Sequence, residues 1–143
     1  PDVYPQFTET GKTMKPELEQ RLRTKHPKIF AEWDESNTDA DAAMSKGIEC
    51  GDGWFNVIDQ LCLLLQLFTK TEGAPQAVAV EVKQKSGRLQ FCVRDELSEI
   101  QMRVVQGAVD MSAQQCEECG KPGTTLKLRP GHMVTRCVVH APE

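Results

Sequence analysis

GIECGDGWFNVIDQLCLLLQLF, residues 47–68, changes character at its middle. Its first eight residues hold three glycines, Cys50 and two acids, Glu49 and Asp52. That composition suits either an active site or a tight entry into a helix. Beyond it Trp54, Ile58, Leu61, Cys62, Leu65 and Phe68 fall at helical spacing. They predict a helix of about four to five turns with one broad apolar stripe, placed at the centre of the core. Leu63, Leu64 and Leu67 widen the stripe and predict burial on a second side, in the core or in a dimer seam. Asp52 stands where a helix N-cap is expected, with Gly51 and Gly53 giving the backbone room to turn. Cys50 then reads as a small packing residue. Adjacent acids would raise its pKa and disfavour a thiolate, although a helix N-terminus pulls the other way.

Around this helix the chain alternates in type. Residues 1–15 contain Pro1, Pro5 and Gly11 and predict an irregular arm. Pro16 opens PELEQRLRTKH, a run of good helix formers, and Pro27 ends it or starts the short segment KIFAEW. Residues 34–46, polar and acidic, predict a mobile loop. After TEGAP the alternating AVAVEVK and RLQFCV, separated by QKSG, predict a β-hairpin. Val78, Val80 and Val82 would share one face, matched by Leu89, Phe91 and Val93. Asp95 is placed to cap a further helix with Leu97, Ile100, Val104, Ala108 and Met111 on its stripe.

The C-terminal run CEECGKPGTTLKLRPGHMVTRCVVH carries the most specific chemistry. Cys116 and Cys119 form a C-x-x-C, and Cys137 and His140 a C-x-x-H. Two short knuckles of this kind supply the four soft or borderline donors of a tetrahedral zinc. Between them two extended pieces turn at Pro130-Gly131, the layout of a zinc ribbon. His132 is the rival for the fourth ligand position, and a Cys116–Cys119 disulfide is the competing pairing. Four protein ligands would leave no open coordination position, so the zinc is expected to be structural. Its binding would supply about 10–16 kcal/mol to a segment with little apolar content.

The 143 residues carry a formal charge of −4, which argues against broad non-specific DNA binding. Residues 12–28 hold six bases and two acids, residues 31–59 eight acids and one base, and residues 121–140 four bases and no acid. Charge poles of this kind suit docking on a charged partner. The apolar stretch LCLLLQLF is too short to span a bilayer, and no secretory leader is read at the N-terminus. Of the six cysteines, one in an apolar helix, one in a strand and three in two knuckles suit a reducing cytoplasm better than a disulfide framework.

IECGDGWFNVIDQLC, followed by VEVKQKSGRLQF and then CEECG, resembles a family of small uncharacterised proteins encoded by bacteriophages and prophages. The match runs over roughly residues 25–140. Gln84, Ser86, Gln90 and Cys92 depart from residues common in that family: glutamate, an aromatic, arginine and tyrosine. The resemblance implies a small accessory protein made in the bacterial host cytoplasm.

These readings define an α+β chain: helices packed on a β-hairpin, with a C-terminal zinc-ribbon-like module. The expected divisions are an arm at 1–15, a helix and hairpin core at 16–115 and the zinc module at 116–143. The favoured function is an interaction protein that modulates a host or phage machine, for example an inhibitor of a CRISPR-type defence system. Glu49, Asp52, Lys127 and Arg129 are its candidate contact residues, and the acidic segment 32–41 could imitate a nucleic-acid backbone. The alternative is a nucleic-acid-binding ribbon using Lys121, Lys127, Arg129 and Arg136, with Lys83, Lys85 and Arg88 near the hairpin turn. Less favoured is an enzyme built on Cys50 or on the carboxylates of Glu49, Asp52 and Asp59. A cysteine nucleophile needs a base, and the chain has three histidines, one of them expected on zinc.

Overall fold

The computed structural model describes residues 13–33, 39 and 41–141. It resolves the 47–68 stretch into a short strand β1 (Ile48–Glu49), a 3₁₀ turn (Asp52–Trp54) and helix α2 (Phe55–Glu72). Helix α1 (Pro16–Lys25) precedes them. Strands β2 (Ala79–Lys85) and β3 (Arg88–Val93), helix α3 (Glu99–Ser112) and strands β4 (Thr124–Arg129) and β5 (His132–Arg136) follow. β1 pairs in parallel with β2, Ile48 opposite Val82. Parallel neighbours need a long crossover, and α2 provides it. β3 pairs antiparallel with β2 and completes a sheet of order β1-β2-β3, while β4 and β5 form a separate two-stranded sheet. The described chain is thus mixed α and β, three helices with two small sheets.

α2 behaves largely as its spacing predicts. Trp54, Val57, Ile58, Leu61, Cys62 and Leu65 are buried. Each fully buried aliphatic side chain of this set contributes about 1.5–3 kcal/mol relative to exposure. The helix ends where Gly73 takes a left-handed conformation and its amide returns to the Phe68 carbonyl. The chain's own core does not extend to a second side of α2. Leu63, Leu64 and Leu67 face outward, each more than two-fifths exposed.

The hairpin turns through Ser86 and Gly87, both at positive φ, as a two-residue loop between right-twisted strands requires. A bulge between Ala79 and Glu81 shifts the side-chain phase of β2. Val78 and Val82 are buried as expected, but Ala79 and Gln84 join them and Val80 is only half-buried, so the expected Val78, Val80, Val82 face is broken at its middle. Leu89 and Phe91 are buried from β3, with Val93 packed beside them.

α3 starts later than the sequence suggests. Ser98, not Asp95, is its N-cap: Ser98 Oγ accepts the Gln101 amide and Gln101 Oε1 accepts the Ser98 amide. Asp95 pairs instead with Arg94. The inward side of α3 carries Gln101, Val104, Val105, Ala108 and Ser112, whereas Ile100 and Met111 are exposed. Gln101 is fully buried and its Nε2 donates to the Pro75 carbonyl at 2.8 Å, tying α3 to the connection after α2.

The N-terminal segment is tied down from residue 14. The Met14 amide donates to the Ile48 carbonyl, and the Lys15 amide to Asp52 Oδ1 at 2.9 Å. Asp52 therefore does not cap α2; its carboxylate holds the start of α1. The remainder of the expected arm, residues 1–12, lies outside the described residues, as do 34–38 and 40 of the acidic segment. Residues 41–46, expected in a mobile loop, form turns pinned by buried Met44, whose amide donates to the Val80 carbonyl. Among the described residues no helix is long and apolar enough to cross a membrane.

Replacing the α3 cap will separate the two candidates for it. Ser98→Ala should destabilise the protein by about 1 kcal/mol. Asp95→Ala, which removes only an exposed ion pair, should stay within about 0.5 kcal/mol of wild type. Urea unfolding measures both.

Candidate metal centre

Residues 116–120 form a tight knuckle. The Cys116 amide donates to the Lys121 carbonyl at 2.7 Å, and the Gly120 amide to the Cys116 carbonyl at 2.8 Å. Gly120 completes the turn at φ 82°. β4 and β5 then lead the chain out and back, turning at Pro130-Gly131, and the Glu117 amide donates to the Thr135 carbonyl at 3.0 Å. That contact delivers Cys137, one residue past β5, beside the knuckle.

The result is a convergent set. One donor atom each from Cys116, Cys119, Cys137 and His140 lies within 4.8 Å of all the others. Cys119 Sγ and Cys137 Sγ are 3.7 Å apart, Cys116 Sγ and His140 Nδ1 3.6 Å, and Cys137 Sγ and His140 Nδ1 3.2 Å. A tetrahedron with sulfur about 2.3 Å and nitrogen about 2.0–2.1 Å from a central ion has edges of roughly 3.5–3.8 Å. The three sulfurs and one nitrogen therefore fit one tetrahedral ion with modest adjustment. Partial burial raises the Cys137 thiol, but the His140 amide and the side chains of His140, Cys116 and Cys119 outweigh it and bring the thiol down to about 6. The Cys119 thiol is shifted the other way: the Lys121 backbone amide would lower it, but desolvation and the neighbouring Cys137 and Cys116 outweigh that and raise it, so it is the convergence of the four donors that fits the site to a metal. His132 stands outside the set. It opens β5 opposite Arg129, with its Nδ1 buried and lacking a hydrogen-bond partner among the described residues.

A feature absent from the sequence reading lies directly behind the cluster. Glu117, between the two knuckle cysteines, is 1% exposed, and Arg136, next to Cys137, is 3% exposed. Glu117 Oε1 accepts from Arg136 Nη1 at 3.1 Å and from Gln84 Nε2 at 3.4 Å. Its Oε2 accepts the Gly51 amide at 2.9 Å. Its main-chain carbonyl accepts the Gly53 amide at 2.7 Å, and Trp54 Nε1 donates to the Gln115 carbonyl at 2.9 Å. The knuckle thus sits on the GDGW loop. A Cβ on Gly53 would overlap the Cys116 carbonyl and come within 2.5 Å of the Gly120 nitrogen; one on Gly51 would overlap the Glu117 carbonyl. These glycines allow two pieces of backbone to touch, a stricter role than easing entry into α2.

The other residues singled out from sequence disperse. Arg136, expected among the phosphate contacts, is turned inward onto Glu117. Cys50 is fully buried; burial pushes its thiol well up, and the charges of Glu117, Asp52 and Glu19 add to the rise. Asp52 is engaged with Lys15. Asp59 accepts from Lys25 Nζ at 2.8 Å and from His26 Nε2 at 2.7 Å. Burial alone would raise the Asp59 carboxyl, but these hydrogen bonds and the neighbouring positive charge hold it below its ordinary value. Glu49 lies on β1 opposite Lys83. Glu49, Asp52 and Asp59 do not converge: among the described residues the Cys/His set is the group arranged to hold a metal. Lys127 is exposed and Arg129 half-buried on β4. No family model, curated protein or solved structure matches the chain.

Removing the Glu117 charge leaves buried Arg136 with only the longer pairing to Glu118, at 3.7 Å. Glu117→Gln should cost about 3–5 kcal/mol by thermal or denaturant unfolding. Lys127→Ala, on the exposed face of the same module, should change stability by less than about 0.5 kcal/mol.

Proposed function

We propose that the chain is an interaction protein whose C-terminal module, residues 116–143, is a zinc ribbon with a structural zinc. Three thiolates and an imidazole are the donor chemistry zinc prefers, and four protein ligands leave no position for substrate. Two antiparallel strands between two ligand pairs support the ribbon assignment.

The observation that carries the interaction reading is the pair Val138 and Val139, 95% and 83% exposed between two of the ligands. Adjacent apolar side chains in water are costly to keep. Here both neighbours, Cys137 and His140, would be fixed on one ion. A tip ordered in advance loses little conformational entropy when it enters a partner's apolar pocket. Lys127 and Arg129 on β4, with Glu49 and Asp52, remain the charged contact residues of this reading. The partner we assign is a host or phage protein, a defence complex of the CRISPR type being one example. That setting, and action in the bacterial cytoplasm, follow from the resemblance to phage-encoded proteins. The alternative, a nucleic-acid-binding ribbon, is weakened by the burial of Arg136 and by the lack of any aromatic residue in 116–143.

Metal analysis and partner capture test the reading together. The purified protein should carry one zinc per chain. Val138→Asp with Val139→Asp should keep that zinc and the wild-type unfolding temperature, yet lose a stoichiometric protein partner that the wild type retains from host lysate. Retention of the same partner by the double variant, or metal-free wild-type protein, would count against it.

A further inference from the structure

The cysteines of the chain differ sharply in their access to solvent. Cys50, Cys62, Cys116 and Cys137 are buried, Cys92 is half-buried and Cys119 is exposed. Cys119 is also one of the four convergent donors, and its Sγ lies 3.7 Å from the Sγ of Cys137. A sulfur held on zinc is a thiolate, the form that peroxides oxidise. The site therefore presents one exposed sulfur to an oxidant and keeps a second within reach to resolve it.

The two cysteines beside Cys119 are not equivalent as resolving partners. Cys116 is fully buried and its backbone is clamped: its amide donates to the Lys121 carbonyl and its carbonyl accepts the Gly120 amide. Cys137 stands at the end of β5, and the next two residues, Val138 and Val139, are exposed. A disulfide requires the two sulfurs to close to about 2.0 Å. Cys137, with open chain on one side, can supply that movement without pulling on the knuckle backbone.

We propose that the metal centre is a peroxide-responsive switch, thrown by a Cys119–Cys137 disulfide that expels the zinc. The switch rests on the zinc reading above and adds a regulation to it. The Cys119 thiolate attacks one oxygen of hydrogen peroxide; the O–O bond breaks, hydroxide leaves and a sulfenic acid forms. The Cys137 thiolate attacks that sulfur; the S–S bond forms, the S–O bond breaks and a second hydroxide leaves with the sulfenic oxygen. The two thiolates lose two electrons, the peroxide gains them, and protons from solvent carry its oxygens to water. Cys116 and His140 then remain, half of the donor set that a structural zinc requires. With His140 released, the Val138-Val139 tip is anchored on one side only and loses the prior order that favours its entry into a partner.

Peroxide titration of the zinc-loaded protein tests the switch. A chromogenic chelator reports free zinc, and thiol alkylation with peptide mapping reports the disulfide. One zinc should leave for each Cys119–Cys137 disulfide formed, and a dithiol reductant with added zinc should restore the starting state. Cys92→Ser, which removes the half-buried thiol outside the site, should alter neither the release nor the disulfide. Zinc retained in excess peroxide would overturn the switch and leave the zinc reading standing, as would a mapped Cys116–Cys119 disulfide. Protein purified under reducing conditions without zinc would overturn both.

Discussion

Glu117 carries a carboxylate out of water in the middle of the Cys116–Cys119 knuckle, and much of the structure around it is arranged to satisfy it. Its oxygens accept from Arg136, Gln84 and the Gly51 amide, and its own main chain bonds to Thr135 and Gly53. Taking a carboxylate from water costs several kcal/mol unless it is paired and fully hydrogen-bonded. Each partner comes from a different part of the chain. Arg136 ends β5, Gln84 lies in β2, and Gly51 stands between β1 and α2. Satisfying one side chain therefore fixes the position of the second sheet, the first sheet and the entry to the long helix. The identity of residue 84 follows from the same constraint. An amide can donate to Glu117 while its oxygen accepts the Gly87 amide; a carboxylate there would face Glu117 with like charge.

The stretch at 47–54 and the knuckle at 116–120 are thus one construction, far apart in sequence and in backbone contact in the fold. Glycines at 51 and 53 are needed because carbonyl oxygens of Cys116 and Glu117 occupy the space a Cβ would fill. A metal bound at Cys116, Cys119, Cys137 and His140 would hold the knuckle shut, and through Glu117 would hold the start of α2. The Val138-Val139 tip depends on Cys137 and His140, which flank it.

Much of this was readable before the structure. The C-x-x-C and C-x-x-H spacing picks out the four side chains that converge, because short knuckles impose their own geometry. The apolar period over 54–65 and the turn at Ser86-Gly87 likewise reflect local rules. What escaped had non-local causes. β1 is two residues long and has no periodicity to detect. The bulge at Ala79 shifts a face that simple alternation sets one residue out. Asp52 and Asp95 look like caps in isolation, but Asp52 is claimed by Lys15 and Asp95 by Arg94. Glu117 and Arg136 read as solvated charges because most such residues are. The available signal was positional: an acid enclosed by two ligand cysteines and an arginine directly before a third.

The dependence of the helix entry on the metal knuckle can be read at single amides. Hydrogen exchange at Gly51 and Gly53 should be compared in metal-loaded protein and after chelation. The account predicts that both amides lose protection together with Cys116 and Gly120 when the metal is removed, while Leu61 and Leu65 in the middle of α2 retain theirs. If the knuckle amides open and those of Gly51 and Gly53 stay protected, the two segments are not coupled through Glu117 and the account is contradicted.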